Sequence, residues 1–295
     1  MAYGARAPST VLGGDVFAVS IVGSLACAAL LLCALPVGAA LAQQRLSVGV
    51  QPYHEPLRLV RLYEPFAIHL RSQLDAPVLV HTRESFTRFW ASVGQGEFDV
   101  VITVPHLARW AELHAGYRAV AQFTAELRFV ALQRDDTDLS MLAAQRPIRV
   151  AVPDRNAMSV ELMRGWTEAR LAGAEQEVIS FHSQINTAIA VLHGEADVGF
   201  VTSLALAHLS ADQRAALSVQ ELDAPAAHLI VLCRTAGRAG FCERVSAALD
   251  VFEQDERGQA FFRSSGLLGL GPVADLARYD ALLRRMGLRD AGLPQ

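Results

Sequence analysis

Two five-residue stretches of the chain, GEFDV from Gly96 to Val100 and GEADV from Gly194 to Val198, differ in one letter. Aligned on their glycines they lie 98 positions apart, and the same offset lays Ser85 on Ser183, Glu97 on Glu195, Asp99 on Asp197 and Val100 on Val198. The repeat therefore reaches beyond the phrase. Between each Ser and its Gly runs a segment of helical length with one apolar face: Phe86, Phe89, Trp90 and Val93 in the first copy, Ile185, Ile189 and Leu192 in the second. Ser is a good N-cap and Gly a good left-handed stop, so each copy predicts a helix closed by a tight turn. The apolar runs that follow, DVVITV and DVGFVT, have the length and β-branched content of buried parallel strands.

A second echo lies upstream. LSVGVQPY from Leu46 and IRVAVPDR from Ile148 are apolar strands that stop at Pro-containing loops, each leading into a helix. The first helix is expected to run unbroken through EPLRLVRLYEPFAIHLRSQL to Leu74, the second through SVELMRGWTEARLAGA to Ala174. With PVLVHT and EVISFH as middle strands, each half contains two right-handed crossovers and builds a parallel sheet. The fold class predicted is α/β: two similar lobes, each a mainly parallel sheet flanked by helices, joined by two hinge strands. AELRFVALQ and HLIVLCR, at either end of the second half, are the segments expected to cross between lobes, and two crossings make a hinge. The boundaries expected are 1–42 for a signal peptide, 43–127 for lobe 1, 128–230 for lobe 2, and 231–295 for a helical segment returning to lobe 1.

Composition places the molecule. From Val16 to Ala42 there is no charged residue, and the run closes on Ala40-Leu41-Ala42, a small-x-small cleavage pattern. We expect cleavage after Ala42 and a periplasmic product, with an uncleaved membrane anchor as the alternative. Net charge is −4, and all 26 basic residues are Arg without a block or stripe, which argues against a nucleic-acid surface. Cys27 and Cys33 fall in the leader; Cys233 and Cys242 are close enough in the chain for a disulfide, with two buried thiols as the other reading.

Ligands of open parallel sheets sit at the carboxyl ends of the strands, where free N–H groups of helix N-termini favour negative charge. The candidate ligand-binding residues at those ends are Tyr53, His54, Phe86, Thr103 and His106 in the first half, and Asn156, Ser159, Gln184, Thr202 and Ser203 in the second. Tyr53 and Phe86 are expected to wall the site and the others to hydrogen-bond a small polar or anionic solute. Arg128 or Arg155 is placed to neutralise an anion. Ser85 and Ser183 are read as caps, and Asp99 and Asp197 as turn-fixing residues.

At this point the chain resembles the substrate-binding proteins of ABC importers for phosphate, phosphite and phosphonate, a family of type II periplasmic binding proteins. LSVGVQPYHEP is similar to the family's first strand, GEFDVVITVP and GEADVGFV to its two Gly-Glu-x-Asp strands, and ERGQAFFRSSGLLGLGPV to its tail. The resemblance implies a solute trapped between closing lobes and delivered to an inner-membrane ABC permease, with no chemistry performed, no cofactor and a monomeric carrier. Where the family has a Ser-Thr-Ser-Gly run, this chain has RNAMSV, leaving Asn156 and Ser159 as polar groups; Gln184-Ile185 replaces His-Asp, and Thr202 and Ser203 stand where an acidic residue would meet an ammonium. These departures disfavour an aminoalkylphosphonate and leave a phosphate-like or other small oxyanion as the leading class.

Three other readings compete. His54, His106 and His182 sit on the predicted cleft loops and could hold a metal, although no two lie at a local ligand spacing. A two-lobed binder can also report to a membrane receptor kinase instead of a permease. Local enzyme motifs such as G-x-S-x-G or H-E-x-x-H are missing, so no catalytic residue and no resident metal is assigned.

Overall fold

The structure is a computed structural model that describes residues 45–171, 173–223 and 228–288. The expected signal segment, with Cys27 and Cys33, lies outside the described residues. In chain order the elements are β1 (Leu46–Val50), α1 (Pro56–Leu62), α2 (Glu64–Leu74), β2 (Val78–His81), α3 (Phe86–Gly94), β3 (Val100–Thr103), α4 (Pro105–His114), β4 (Tyr117–Phe123), β5 (Phe129–Arg134), α5 (Leu139–Ala143), β6 (Ile148–Val152), α6 (Met158–Arg170), β7 (Gln176–Ser180), α7 (Gln184–Leu192), β8 (Val198–Thr202), α8 (Ser203–Leu206), α9 (Ala211–Ala215), β9 (Leu217–Glu221), β10 (Ile230–Arg234), α10 (Phe241–Asp250), α11 (Glu256–Ser265), β11 (Leu270–Gly271) and α12 (Asp280–Arg285).

Two mixed sheets organise them. The first runs β11-β4-β10-β3-β1-β2, the second β7-β6-β8-β5-β9. In the first, β1 pairs parallel with β2 and β3; in the second, β6 pairs parallel with β7 and β8. The pair β10 and β5 occupy the same place in their sheets, each antiparallel to the third parallel strand. β10 is therefore inserted into the first sheet by the second half of the chain, between β3 and β4. This exchange of one strand makes the α/β fold a pair of like lobes rather than two beads on a string.

The repeated phrase does in three dimensions what its residues suggested. Ser85 Oγ accepts from Arg88 N and Ser183 Oγ from Asn186 N, capping α3 and α7. Gly96 and Gly194 then turn the chain at φ +68° and +73°, where an L side chain is strained. A Cβ at either position would lie 2.9 Å from a guanidinium nitrogen, of Arg234 in lobe 1 and of Arg134 in lobe 2, but these are ends of flexible side chains that can give way, so the left-handed turn is what calls for glycine. Asp99 and Asp197 follow, each tying the third strand of its lobe to the first. Asp99 accepts from Ser47 N and Oγ; Asp197 accepts from Arg149 N and from the guanidiniums of Arg146 and Arg149.

Two expectations are corrected. The helix expected to run unbroken to Leu74 is two, α1 and α2, broken at Tyr63 because Pro65 cannot donate to a continuing ladder and is accommodated in the first turn of a new helix. The segments expected to cross each lie within one sheet, and the described passage from the first sheet to the second is made by residues 124–128. AELRFVALQ ends as β5 wholly within the second sheet, HLIVLCR as β10 wholly within the first, and Phe123 N donates to Leu229 O where the two connections meet.

The tail gathers on lobe 1. Phe252 and Phe261 of the tail are fully buried against Phe66 of α2, with ring centroids 5.4 and 6.2 Å from it. Cys233 on β10 is disulfide-bonded to Cys242 on α10. At the end of the tail, Arg109 on α4 binds Asp280 at 2.8 Å, and Arg285 reaches Glu161 on α6 of lobe 2 at 3.8 Å.

Candidate functional site

Between the lobes, at the carboxyl ends of the parallel strands, lies a narrow cavity. Lobe 1 lines it with Gln51, Pro52, Phe86, Val104 and His106; lobe 2 with Phe129, Pro153, Asp154, Ala157, Met158, Ser159, His182, Gln184 and Thr202. The volume open to the centre of a water molecule is about 20 Å³, little more than one water needs, so the lobes are drawn together over it.

The backbone frame is held by side chains. On the lobe 1 side Gln51 Oε1 accepts from Thr103 Oγ1 at 2.7 Å and Val104 N at 3.1 Å, which leaves the amide NH2 as the part of Gln51 available to the cavity. On the lobe 2 side Gln184 Oε1 accepts from Thr202 N at 2.8 Å. Val104 and Thr202 are equivalent under the 98-residue offset, so each lobe fixes the tip of its third strand with a glutamine carbonyl.

Seven described residues bury a side-chain polar atom without a partner, His54, Thr82, Trp90, His106, Trp110, Ser159 and His208, and two of them line the cavity. Ser159, at the second position of α6, is 1% exposed and its Oγ has no hydrogen bond; His106, at the second position of α4, is equally buried, and neither ring nitrogen makes a hydrogen bond of normal geometry, its one polar neighbour being the Asn156 backbone. Buried polar atoms are almost always satisfied, so two orphans on facing walls of one cavity point to a ligand. Burial pushes the His106 imidazolium down to about 4, the nearby Asn156 backbone working weakly the other way, so the ring is neutral at ordinary pH. Phe86 stacks on it at 6.1 Å and Trp90 meets it edge-on at 5.8 Å, fixing its plane. Neither α4 nor α6 has a side-chain N-cap, so their first N–H groups add partial positive charge to the same space.

The lobes also touch directly. Asp154 on lobe 2 accepts from Thr87 Oγ1 at 3.1 Å and Thr87 N at 3.3 Å on α3 of lobe 1, and from Asn156 N at 2.8 Å. His54 on lobe 1 packs against His208 on lobe 2 with ring centroids 3.9 Å apart, and Arg58 Nη2 lies 3.1 Å from His208 Nδ1. Burial, His208 and Arg58 together push His54 down to about 3.

Of the residues singled out from sequence, Phe86, His106, Ser159, Gln184 and Thr202 meet around the cavity. The others stand behind it or beside it. Tyr53 is buried in lobe 1 with its hydroxyl on Tyr63 at 3.1 Å; Thr103 serves Gln51; His54 belongs to the contact with His208; Asn156 turns the loop before α6 and sits by Thr87; Ser203 accepts from Arg128 N at the crossing. Arg128 is engaged by Glu221 and Arg155 by Val178 O, and neither lines the cavity. Among the described residues no three His, Cys, Asp or Glu side chains converge as a metal site, and His54, His106 and His182 do not come together. Sequence reasoning placed Asp154 on a cleft loop without choosing it as a binding residue, took Met158 only as an intrusion there, and passed over Phe129. Asp154 stood on a named loop, but nothing in the sequence showed that it would meet Thr87 from the other lobe.

Residues 48–277 match the family described as ABC transporter, phosphonate, periplasmic substrate-binding protein. The chain belongs to that family. It is a transport substrate-binding protein rather than an enzyme, and the family's place is the periplasm. Among the described residues no helix is long and apolar enough to cross a membrane. Solved structures share the fold at low identity. A binding protein component of an ABC phosphonate transporter from Pseudomonas aeruginosa superposes with TM-score 0.70 at 14% identity, covering 83% of this chain and 88% of its own. PhnD1 from Prochlorococcus marinus, solved with methylphosphonate, gives 0.69 at 14%, covering 83% and 99%. XAC2383 from Xanthomonas citri, solved with a chloride ion, gives 0.67 at 14%, covering 82% and 98%. No curated protein sequence matches the chain.

Proposed function

We propose that the protein captures a small oxyanion of the phosphonate or phosphate type between its lobes and, as a monomer, hands it to the permease of an ABC importer after export by its N-terminal segment. The observation that carries this reading is the pair of orphaned buried groups, Ser159 Oγ and the His106 ring, facing one cavity beside two uncapped helix N-termini. In it the lobes are 43–127 and 128–230, and residues 231–295 return to lobe 1. Ser159, His106, Gln51, Gln184 and Thr202 bind the oxygens. Phe86, Phe129 and Met158 exclude water. Tyr53, His54, Thr103, Asn156 and Ser203 keep the walls in place.

Closure follows from the same geometry. Donors of both lobes can reach one solute only when the lobes meet, so the solute stabilises the closed form by its differential contacts there. Each neutral hydrogen bond contributes about 0.5–1.5 kcal/mol, so several are needed for micromolar affinity.

The test is a thermal-shift and calorimetric screen of the mature protein against phosphate, phosphite, alkylphosphonates, sulfate, carboxylates and divalent metals. An oxyanion should raise the melting temperature, and Ser159→Ala should weaken its binding about tenfold, the worth of one such bond, without lowering the stability of the free protein. A screen in which only carboxylates or metals bind sinks the oxyanion reading.

A further inference from the structure

The lobes touch beside the solute cavity at two places, Asp154 with Thr87 and His54 with His208, and at a third they stand apart. There α6 of lobe 2 faces α12 and the turn before it, which the tail packs against α4 of lobe 1. The volume open to the centre of a water molecule is about 260 Å³ in this gap, against about 20 Å³ in the cavity. Among the described residues lining the two spaces, Met158 alone is common to both.

Helical spacing builds the gap. Met158, Glu161 and Leu162 lie three and four residues apart on one face of α6, and Arg278, Ala281, Leu282 and Arg285 repeat that spacing opposite. Leu162, Ala281 and Leu282 give it an apolar floor. Its charge differs from that of the cavity, because no Arg is among the described residues of the cavity lining, whereas Arg278 and Arg285, both exposed, line the gap. The carboxylate on the gap, Glu161, is held by Arg164 on its own helix at 2.5 Å and by Arg285 from the other side at 3.8 Å. Asp280, at the start of α12, is taken up by Arg109. The outer end of the gap therefore favours a negative group, and its inner end opens on Met158.

We propose that this gap is a second compartment of the solute site, which takes the organic arm of a phosphonate whose head sits in the cavity: an alkyl chain that passes Met158 and ends in a carboxylate at Arg278 and Arg285. This rests on the oxyanion reading above and names a solute class within it, phosphonocarboxylates. Met158 is the divider. Its side chain is unbranched and turns at low cost, so it can close the cavity over a bare oxyanion or lie aside along an arm. An arm in the gap touches α6 and α12 together only when the lobes are closed, so it stabilises closure by the same differential contact as the head.

The test is calorimetry of the mature protein with phosphate, sulfate, methylphosphonate, an alkylphosphonate series, and phosphonoacetate, phosphonopropionate and phosphonobutyrate. Each methylene buried on the apolar floor is worth about fourfold in affinity, and a charge-assisted bond at the end of the arm about as much or more. The best phosphonocarboxylate should therefore bind about tenfold or more tighter than methylphosphonate, and about threefold or more tighter than the alkylphosphonate of equal length, the second margin shrinking in salt. Replacing both exposed guanidiniums, Arg278→Gln with Arg285→Gln, should bring that second margin to about one. The margin compares two ligands on one variant, so any change in closure from losing the pair with Glu161 cancels. Met158→Ile, which branches at Cβ and stiffens the divider, should cut the preference for an arm over a methyl group by about threefold or more.

Arm-bearing phosphonates that bind no tighter than methylphosphonate overturn the second compartment and leave the oxyanion reading standing. Carboxylate arms that do no better than alkyl arms of equal length, or a margin unchanged in the double variant, overturn the phosphonocarboxylate class. Failure of every probe to bind the folded wild type, phosphate and sulfate included, overturns both readings.

Discussion

The two lobes have one scaffold and different contents. At equivalent positions both carry a capping Ser, a left-handed Gly beneath an Arg, and an Asp that ties the third strand to the first. At the strand tips the equivalence ends: Phe86 stands where lobe 2 has Gln184, and Val104 where it has Thr202. Lobe 1 faces the cavity with a neutral buried imidazole, the Gln51 amide and the Phe86 ring, lobe 2 with a carboxylate, a hydroxyl and three further polar side chains, His182, Gln184 and Thr202. Residues that repeat are those that make turns, and residues that diverge are those that can touch a solute. The repeat thus separates scaffold from site without any ligand in view.

Even the repeated parts are not equally loaded, and substitution should show it. Asp197 is almost wholly buried and holds two guanidiniums and a backbone N–H; burial works to raise its pKa, but Arg146 and Arg149 overcome that and hold the carboxyl well below the usual range. Asp99 is more exposed, is held mainly by Ser47, and has Arg238 at 3.6 Å. Asp197→Ala should therefore cost about 3–4 kcal/mol and Asp99→Ala about 1–2 kcal/mol, read as shifts in urea midpoint at unchanged slope. Equal losses would mean that the ion pairs of lobe 2 add nothing to the turn.

Acid should act on lobe 1 first. The buried imidazoles at the cleft are His54 and His106, both of lobe 1, with pKa values pushed down to about 3 and about 4. In the unfolded chain a histidine takes up its proton near pH 6.5, while these rings in the folded protein do not until the pH is far lower. Below about pH 6.5 the unfolded state therefore binds more protons, and stability falls steadily down to about pH 4, where His106 begins to titrate in place. His106 alone is worth up to about 3 kcal/mol across that window. Urea titrations between pH 4 and 8 should show this slope, and His106→Gln should flatten it; an unchanged slope in the variant would place the acid sensitivity elsewhere.

The disulfide has no counterpart in lobe 2. Reducing Cys233–Cys242, or replacing both by Ala, releases a loop with nine residues of separation and should lower stability by about 2–3 kcal/mol from loop closure. The loss should appear as earlier hydrogen exchange in β10 and α10 and leave β6 to β8 unaffected. Earlier exchange in both sheets would show that the inserted strand couples the lobes more tightly than the comparison supposes.

Much of the architecture was legible because it is written at short range. The caps at Ser85 and Ser183, the stops at Gly96 and Gly194 and the strands after them follow from turn chemistry and apolar spacing within a dozen residues. Where the reading missed, a local rule was outweighed by a neighbouring one or by packing. The apolar run through Tyr63 looked continuous, but Pro65 broke it. Tyr53 sits on a strand-end loop that suits a ligand, yet its ring is drawn into the core and its hydroxyl to Tyr63. The candidate site was half legible for the same reason: loop position identified Ser159, His106 and Gln184, but which loops approach across the cleft is fixed by lobe docking.

The sequence by itself determined the repeating unit, its turns and the family to which it belongs, because these depend on residues near one another in the chain. Only the tertiary structure decided that β10 enters the first sheet, that Thr87 reaches Asp154, that His54 meets His208, and that Ser159 and His106 are left buried without partners on facing walls. Those contacts join segments from about 50 to more than 150 residues apart in sequence, and their energy exists only once two independently patterned lobes close on each other.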